Sequence, residues 1–463
     1  MNYTASGDRI ARNRFKTAEG RFHLHTERTT GLQPFNYQRS TRLTLANLQG
    51  GQEEGQWIVF NVGDCINICS YDETNKEPFR ALLFNNSTVR TGYPTCHAFM
   101  AAKDNVDLLV GLGDGQVMLM SLRAQLQATG YPSKPIVLST LQPEGVSETI
   151  RCTAVAWVPR TDNGLFVAAY SSGNIYVYKK SHLTGEGSGK FLSLGSSSKS
   201  QSPSSTIAIS GGGINDVAVS PDGRQLAAAC RDGALRVIDV STGTVVGGFC
   251  SYYGALLCCA FSPDGKYVAT GGEDDLVAVY GLQERYPVVN GEGHRSWVSR
   301  VVWDPWAGSE PGTGSRAVLS EQLAPATRIY RLGSAGQDCQ LCLWDVQAPG
   351  EGDLNSSAAM LAQMSMLGGI KRNGSMANLV SGRGDGPPSA ALHDRKASLG
   401  KSSGGICPSL PRMDMYIIQP IMEHKIHLEP MSDLLFTEEV VFTVDHTGSI
   451  RTWLRPQADG SME

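Results

Sequence analysis

The amino-acid sequence predicts an all-β protein, a β-propeller of seven four-stranded blades. The first observation is a repeat, because the tetrapeptide SPDG occurs at Ser220 to Gly223 and again at Ser262 to Gly265. The two copies stand 42 residues apart, within the period of propeller blades. Each copy is followed by an apolar run, a Gly-rich or Asp-rich turn and a second alternating run. The same order of features recurs along the chain and indicates a repeated β-unit.

The turn inside each unit provides the second observation. Apolar residues recur two and four positions after it, as a strand with one buried face requires. Five units follow this rule fully, with the pairs Val117 and Leu119, Ile175 and Val177, Leu235 and Val237, Val277 and Val279, and Leu341 and Leu343. Two units follow it in part, with Ile66 and Ile68 after Asp64, and Ile450 and Trp453 after Gly448. The count of units is therefore seven.

Ring closure is the third element of the prediction. A closed ring removes the sheet edges that would otherwise invite aggregation, and closure requires the two termini to share one blade. The segment Phe22 to Glu27 is predicted as the last strand of the blade that ends near Leu454. We expect the propeller to span residues 21–456, between flexible termini at residues 1–20 and 457–463.

Insertions interrupt the repeat at residues 181–213 and 347–413, and a shorter one lies near residues 307–327. The two long stretches are rich in Ser and Gly and contain few large apolar residues. Such segments cannot bury enough surface to offset the entropy lost on ordering. We therefore expect disordered Ser/Gly-rich insertions there.

Charge and hydropathy exclude several classes of partner. Lys and Arg number 40 against 44 Asp and Glu, a formal net charge of -4, so no basic excess is available to neutralise nucleic-acid phosphates. No run approaches the roughly 18 apolar residues of a membrane span, and the polar start of the chain lacks the apolar core of a secretion signal. We expect a soluble protein of the cytoplasm, the nucleus or both, without nucleic-acid or membrane partners.

The 11 cysteines are scattered through strand-like runs, where they are expected to be small buried apolar residues. Cys339 and Cys342 form the only CxxC pattern. Because a strand directs residues three apart to opposite faces, these two thiols cannot converge on one metal ion. No metal site and no cofactor are expected.

One group of polar residues invites a catalytic interpretation. His294, Ser334, Asp338 and Trp344 stand at the spacing of the hydrogen-bonded tetrad that characterises WD repeats. A Ser, a His and an Asp also suggest a hydrolase. The chain has no GxSxG nucleophile turn, and the Trp completes a buried polar network, so the structural interpretation is favoured. We expect no enzyme activity and no catalytic residues.

Other units match the tetrad less well. The last unit carries His427, Thr443 and Trp453 at equivalent places but has Thr447 where the Asp belongs, with Asp445 two residues earlier. The unit that contains Thr270 and Asp274 has Tyr252 in place of the His. The sequence therefore predicts only one complete tetrad.

The glycines Gly111, Gly113 and Gly115 superficially resemble a phosphate-binding loop. They fall on a turn between two predicted strands, and no helix follows to present its N-terminus to a phosphate. A nucleotide site is not expected there.

The amino-acid sequences of several blades resemble those of one family. The segments SYYGALLCCAFSPDGKYVATGGEDDLVAVY, GHRSWVSRVVWDP, YRLGSAGQDCQLCLWD, LHDRK and TGSIRTWLRP resemble the WD repeat-containing protein 20 and dystrophia myotonica WD-repeat protein family. Its fungal relatives include the catabolite-repression regulator CreC. The resemblance is strongest over residues 213–345 and 407–456 and weaker toward the N-terminus.

This resemblance implies a non-catalytic WD-repeat scaffold that binds a ubiquitin-specific protease and raises its activity, in some cases beside a second WD-repeat subunit. Composition and spacing alone do not reach that conclusion, because the propeller fold supports many functions. Two alternatives stay open. One is a substrate receptor for a cullin-type ubiquitin ligase, and the other is a general protein-interaction scaffold.

Propeller geometry predicts where a partner docks. The loops that precede the first strands and the turns that precede the third strands emerge on one face, and the SPDG turns emerge on the other. The predicted partner face contains Tyr252, Tyr253, Arg295, Trp297, Arg231, Glu273 and Asp275. Aromatic and Arg residues on a rigid surface are typical of interface hot spots. The alternative is that Tyr253 and Trp297 only cover the edges of their blades.

Two serines in the second long insertion match the pattern that basophilic kinases select. Arg372 lies three residues before Ser375, and Arg395 lies three residues before Ser398. Phosphorylation there would add about -1.5 to -2 charges per site. Ser375 and Ser398 are therefore candidate phosphorylation sites.

Overall fold

A computed structural model describes residues 13–29, 39–72, 77–84, 92–101, 106–161, 164–184, 202–209, 212–307, 327–349, 405–409, 411–412 and 415–456. These residues form seven antiparallel sheets, arranged as the seven blades of a β-propeller. The predicted all-β class and the blade count are confirmed. The apolar pairs that follow the turns are buried in all seven blades.

Blades 1 to 3 each contain four strands, with the first strand innermost and the fourth outermost. Blade 1 consists of β1 (Leu43–Leu48), β2 (Gly55–Val62), β3 (Cys65–Ser70) and β4 (Arg80–Leu83). Blade 2 consists of β5 (Pro94–Ala101), β6 (Val106–Leu112), β7 (Val117–Ser121) and β8 (Val137–Leu141), with helix α1 (Leu122–Gln127) before β8. Blade 3 consists of β9 (Cys152–Trp157), β10 (Leu165–Tyr170), β11 (Asn174–Lys179) and β12 (Ser205–Ala208), with helix α2 (Lys180–Thr184) before β12.

Blades 4 to 6 repeat this plan, and blades 4 and 5 each gain one extra edge strand. Blade 4 consists of β13 (Ile214–Val219), β14 (Gln225–Cys230), β15 (Ala234–Asp239) and β16 (Val245–Cys250). Blade 5 consists of β17 (Leu256–Phe261), β18 (Tyr267–Gly272), β19 (Leu276–Gly281) and β20 (Tyr286–Glu292). Blade 6 consists of β21 (Val298–Asp304), β22 (Thr327–Gly336), β23 (Gln340–Pro349) and, after the long insertion, β26 (Met422–Lys425). The short strands β24 (Ile406–Cys407) and β25 (Ile417–Ile418) add in parallel to β16 and β20.

Blade 7 closes the ring with strands from both ends of the chain. Its first three strands are β27 (Met431–Phe436), β28 (Val440–Asp445) and β29 (Ser449–Leu454). The N-terminal strand βN2 (Gly20–Thr29) pairs antiparallel with β29, and strand βN1 (Arg14–Thr17) pairs with βN2. The predicted closing strand Phe22 to Glu27 is therefore confirmed. Residues 14–17 do not belong to a flexible terminus as predicted, because Phe15 is buried and its ring stacks on Phe22 at a centroid distance of 4.5 Å.

The SPDG turns show why the repeat needs these residue types. In the first turn, the Ser220 hydroxyl donates to Asp222 at 2.6 Å and accepts the backbone N–H of Gln225 at 2.9 Å. Gly223 has a φ of 76°, a left-handed conformation that glycine adopts without steric cost. Each turn thus satisfies its own polar groups and reverses the chain between the first two strands of its blade.

The core is divided into seven clusters of buried apolar side chains within the described part of the chain, one at each junction between neighbouring blades. At the junction between blades 7 and 1, Phe442 and Phe60 lie in the same cluster. Every blade therefore packs through both of its faces, which is the physical basis of ring closure.

The predicted boundaries of both long insertions were too wide. Strand β12 lies within residues 181–213, where Ile207 and Ile209 are buried against blades 3 and 4. Residues 347–349 extend β23, and residues 406–407 form β24. An outer strand needs few apolar residues because only one of its faces packs, so its signal is hidden in a Ser/Gly-rich context. Residues 185–201, 308–326 and 350–404 lie outside the described residues.

The chain that leads into β26 passes along the rims of two other blades. We call residues 405–421, where described, the rim strap. β24 lies on the outer edge of blade 4, β25 lies on the outer edge of blade 5, and the chain then enters blade 6 as its outer strand. Arg412 of the strap forms an ion pair with Glu292 at 2.5 Å. The strap covers two sheet edges that would otherwise be open.

Candidate functional site

One face of the propeller brings together the loops between blades and the turns before the third strands. We call it the upper face. The backbone N–H of Tyr252 donates to Asp274 at 3.2 Å, the N–H of Gln337 donates to the Trp297 carbonyl at 2.8 Å, and the Cys339 thiol donates to the Leu428 carbonyl at 3.5 Å. The loops that carry Tyr252 and Trp297 are therefore tied to a turn of the blade that follows them, and the loop that carries Leu428 is tied to a turn of the blade before it.

Large apolar side chains are exposed on three consecutive interblade loops of this face. Tyr252 is 63% exposed, Tyr253 72% and Trp297 38%, on the loops that lead into blades 5 and 6. Leu428, on the loop that leads into blade 7, is 62% exposed. Exposed apolar groups on neighbouring loops are typical of a protein-interaction surface.

Leu428 was missed from the sequence. Its signal was available, because it directly follows His427 as Arg295 directly follows His294. Alignment of the two histidines places Leu428 at the position of a residue that the sequence analysis did select. The exposed apolar surface thus extends one blade further than predicted.

The predicted charged residues lie on the same face, but their contacts differ. Arg231 is exposed and its guanidinium donates to the Asn215 side chain at 3.2 Å. Glu273 accepts the backbone N–H of Ala255 at 3.0 Å, so this carboxylate fixes the loop that carries the tyrosines. Arg295 lies 3.5 Å from Glu423 in an exposed ion pair.

Asp275 lies near the tetrad of the next blade. Burial, followed by the nearby charge of Asp338, raises the pKa of its carboxyl group. Its backbone has a φ of 62°, and Cys339 at the same turn position in blade 6 has a φ of 66°. The equivalent residues of other blades include the glycines Gly115, Gly173, Gly233 and Gly448. Blades 5 and 6 therefore have a side chain at this turn position, at some cost in backbone strain, where these four blades have glycine.

The structure brings His294, Ser334, Asp338 and Trp344 together beneath the loop that bears Trp297. The Trp344 indole donates to the Ser334 hydroxyl at 2.8 Å, that hydroxyl lies 2.7 Å from His294 Nε2, and His294 Nδ1 lies 3.0 Å from Asp338. Since Nδ1 faces a carboxylate, it carries the proton, and Ser334 donates to Nε2. Asp338 also accepts the N–H of Arg295 at 2.8 Å. The tetrad therefore fixes the start of the loop.

The geometry of this group is that of a structural network. Ser334 and Trp344 are fully buried, and the Ser334 hydroxyl already binds two partners. A nucleophile needs open space beside its oxygen for the substrate carbonyl. The side chains supply no such space, so the hydrolase alternative has no support in the geometry.

The prediction of a single complete tetrad was wrong. In blade 7, His427 Nδ1 lies 3.1 Å from Asp445, His427 Nε2 lies 2.9 Å from Thr443, and the Trp453 indole donates to Thr443 at 2.9 Å. Asp445 occupies the position of Gly336 in blade 6, where a Cβ would point at the tetrad histidine. A carboxylate from either turn position can therefore reach the imidazole.

Blade 5 has no such network, in agreement with its sequence. Tyr252 stands where the His belongs, but its side chain is exposed on the upper face. The Thr270 hydroxyl donates instead to the Ala278 carbonyl at 3.5 Å, and the Tyr280 hydroxyl accepts the N–H of Gly248 at 3.1 Å. This arrangement leaves Tyr252 available for contacts outside the chain.

A charged group in the central channel was not predicted. The channel contains a cavity of about 360 Å³ lined by the innermost strands. Arg300 from blade 6 contacts Asp216 from blade 4 at 3.1 Å and Asp433 from blade 7 at 2.9 Å. The three residues occupy equivalent positions. Each is the third residue of the innermost strand of its blade, directly after the shift in pairing register. We call them the channel triad.

Two negative findings apply to the residues that the structure describes. None of their His, Cys, Asp and Glu side chains form a group of three suited to a metal ion, and no helix among them has the length and apolar character of a membrane span. Cys339 and Cys342 are both buried. Gly111 lies near the end of β6, and Gly113 and Gly115 lie at the turn between β6 and β7.

The family model "WD domain, G-beta repeat" matches residues 201–239 and 244–280, which cover blade 4 and most of blade 5. The chain contains WD repeats. The WD repeat-containing protein 20 of Mus musculus is 28% identical to it, over 96% of this chain and 96% of the relative. This result agrees with the resemblance found in the sequence.

The fold of this WD-repeat protein is also similar to a chain in a solved complex. That chain, from the crystal structure of a mitotic checkpoint complex, superimposes with a TM-score of 0.56 at 13% identity and covers 93% of this protein and 91% of its own length. At this identity the similarity supports the fold alone. Ser375 and Ser398, the candidate phosphorylation sites, lie outside the described residues.

Proposed function

We propose that this WD-repeat protein is a non-catalytic subunit that binds a ubiquitin-specific protease through its upper face and raises the activity of that protease. The protein would act in the cytoplasm, the nucleus or both, and a second WD-repeat subunit would join the same assembly. The observation that carries the proposal is the exposure of Tyr252, Tyr253 and Trp297 on adjacent loops. The similarity to WD repeat-containing protein 20 supports the choice of partner.

Physical chemistry supports an interface at this location. Aromatic side chains desolvate large areas and lose little rotamer entropy on binding, so they provide much of the binding energy in many interfaces. The loop with Trp297 is held by the half-buried Asp338 through Arg295, and the loop with Tyr253 is held by Glu273 through Ala255. Loops fixed in this way need little reordering when a partner docks.

The test measures binding and activation of purified ubiquitin-specific proteases with a fluorogenic ubiquitin substrate. Trp297→Ala and Tyr253→Ala should each weaken binding by about 2 kcal/mol, roughly thirtyfold. Tyr131→Ala is the matched control, because Tyr131 is an aromatic residue 58% exposed on the rim of blade 2. Lys266→Ala, on the opposite face, is a second control. Thermal unfolding of each variant separates lost contacts from lost stability.

Two outcomes would contradict the proposal. Full activation by a folded Tyr253→Ala, Trp297→Ala double variant would show that the protease docks elsewhere. Copurification with a cullin-type ligase, without any protease, would favour the substrate-receptor alternative.

A further inference from the structure

Two buried thiols face each other across the junction between blades 2 and 3. Cys96 lies in β5 and Cys152 begins β9, and both belong to the cluster that joins the two blades. A Cβ placed on Gly111 would lie 2.6 Å from the Cys96 sulfur and 2.7 Å from the Cys152 sulfur. The two sulfurs therefore flank the same small space, which is open because Gly111 has no side chain.

The strands that carry this pair are fixed relative to each other. The Thr95 hydroxyl contacts the Gly111 carbonyl at 2.9 Å and the Cys152 carbonyl at 2.7 Å. Thr95 thus links blade 2 to blade 3 beside the two sulfurs. The pair is held in proximity by the fold and needs no domain movement to meet.

The two thiols differ in access and in acidity. Cys96 lines the central cavity, whereas Cys152 is completely buried. Water reaches this cavity, because the Arg300 side chain that also lines it is 28% exposed. The neighbouring Cys152 thiol lowers the pKa of the Cys96 thiol, and burial raises the pKa of Cys152. A thiol of lowered pKa that lines a cavity reached by water, beside a second thiol, is the arrangement of a peroxide-sensitive pair.

We propose that Cys96 and Cys152 are a peroxide-oxidised thiol pair that forms a disulfide between blades 2 and 3. The Cys96 thiolate attacks one oxygen of hydrogen peroxide, so an S–O bond forms, the O–O bond breaks and, after proton uptake, water leaves. The Cys152 sulfur then attacks the sulfenic sulfur, an S–S bond forms, the S–O bond breaks and hydroxide leaves with the Cys152 proton as a second water. Two thiols are oxidised and one peroxide is reduced to two waters.

Blades 5 and 6 contain a matched site without the second thiol. Cys258 occupies in blade 5 the place of Cys96, and Val298 occupies in blade 6 the place of Cys152. A Cβ on Gly271, the equivalent of Gly111, would lie 3.0 Å from the Cys258 sulfur and 2.5 Å from a Val298 methyl carbon. Cys258 in the wild-type protein therefore has the equivalent strand position beside a glycine, but no thiol stands at the place of Cys152 to resolve it.

The experiment exposes the full-length folded protein to hydrogen peroxide, blocks free thiols under denaturing conditions and identifies linked peptides by mass spectrometry. The alkylatable thiols should fall by two from the 11 of the chain, with Cys96 joined to Cys152, and dithiothreitol should restore them. Cys96→Ser and Cys152→Ser should each abolish the link. In Cys152→Ser, a sulfenic-acid probe should label Cys96. Val298→Cys should create a second link, to Cys258.

Three results would contradict the proposed disulfide. Survival of both free thiols after peroxide, or oxidation of Cys96 to sulfinic acid without a link, would overturn the proposal. Formation of the engineered link in Val298→Cys without the native link would show that the geometry at blades 2 and 3 is unsuitable, and would overturn it as well.

Discussion

Asp445 lies 3.1 Å from Nδ1 of His427, although it stands two residues before the position that Asp338 uses to reach His294 in blade 6. Its second oxygen accepts the backbone N–H groups of Thr447 at 2.9 Å and Ser449 at 3.0 Å. The Asp445 carboxylate thus completes the tetrad of blade 7 and fixes the turn before β29. Blades 6 and 7 therefore have the same hydrogen bonds in their tetrads, although the Asp occupies a different backbone position in each.

The first prediction concerns this carboxylate. Asp445→Ala should lower the free energy of unfolding by about 1 to 3 kcal/mol, because His427 and the turn N–H groups lose their acceptor while buried. Thr447→Ala is the matched control at the position where the sequence places the acid, and it should cost less than about 1 kcal/mol. Urea unfolding of both variants measures the difference. Equal losses would show that Asp445 has no special role.

The second prediction is an acid dependence. Burial by itself would raise the pKa of Asp338 and of Asp445, but the hydrogen bonds with His294 and His427 and with backbone N–H groups outweigh it and lower both pKa values. A carboxyl group whose folded-state pKa is depressed stabilises the fold above its unfolded pKa, about 3.9, and that stabilisation is lost as the pH falls further.

This dependence is measured by thermal unfolding between neutral pH and about pH 3. The wild-type melting temperature should fall as the pH drops below about 4. An Asp338→Asn, Asp445→Asn double variant should start lower at neutral pH and lose less on acidification. An identical slope in the two proteins would mean that other groups cause the acid sensitivity.

The third prediction concerns ring closure. Phe22 is 2% exposed and stacks on Phe15, whose ring lies 5.3 Å from that of Trp453. Phe22→Ala should therefore destabilise the protein by about 3 to 5 kcal/mol. Phe79→Ala removes a ring that is 43% exposed and should cost about 1 kcal/mol or less. A small effect at Phe22 in chemical unfolding would show that the N-terminal strands contribute little to closure.

The fourth prediction concerns the channel triad. Arg300→Met leaves Asp216 and Asp433 without their cation, and the expected loss is about 2 to 3 kcal/mol, less than for a fully buried pair because Arg300 is 28% exposed. A triple variant with Asp216→Asn and Asp433→Asn added should recover part of this loss, since the uncompensated charges are removed. If the triple variant is less stable than Arg300→Met, the triad is stabilised by its hydrogen bonds and not by charge.

Much of the fold can be predicted from short sequence patterns. The two SPDG turns, the apolar pairs after the inner turns and the run from Phe22 report on contacts within one blade, so local pattern is sufficient to predict them. The short strands β12, β24 and β25 escaped prediction because each packs through one face with only one or two apolar residues. Pairing with an existing sheet edge supplies the backbone partners that such short segments cannot provide for themselves.

The sequence by itself determined the all-β class, the seven blades, the residues of the blade 6 tetrad and the aromatic loops of the upper face, because each depends on neighbours in the chain or on a fixed spacing. Only the tertiary structure decided that Asp445 completes a second tetrad and that Arg300 meets carboxylates from two other blades. Asp445 reaches His427 from a different turn position, which a fixed spacing does not predict. The partners of Arg300 lie in blades 4 and 7, and the closure of the ring brings them together, which no local pattern encodes.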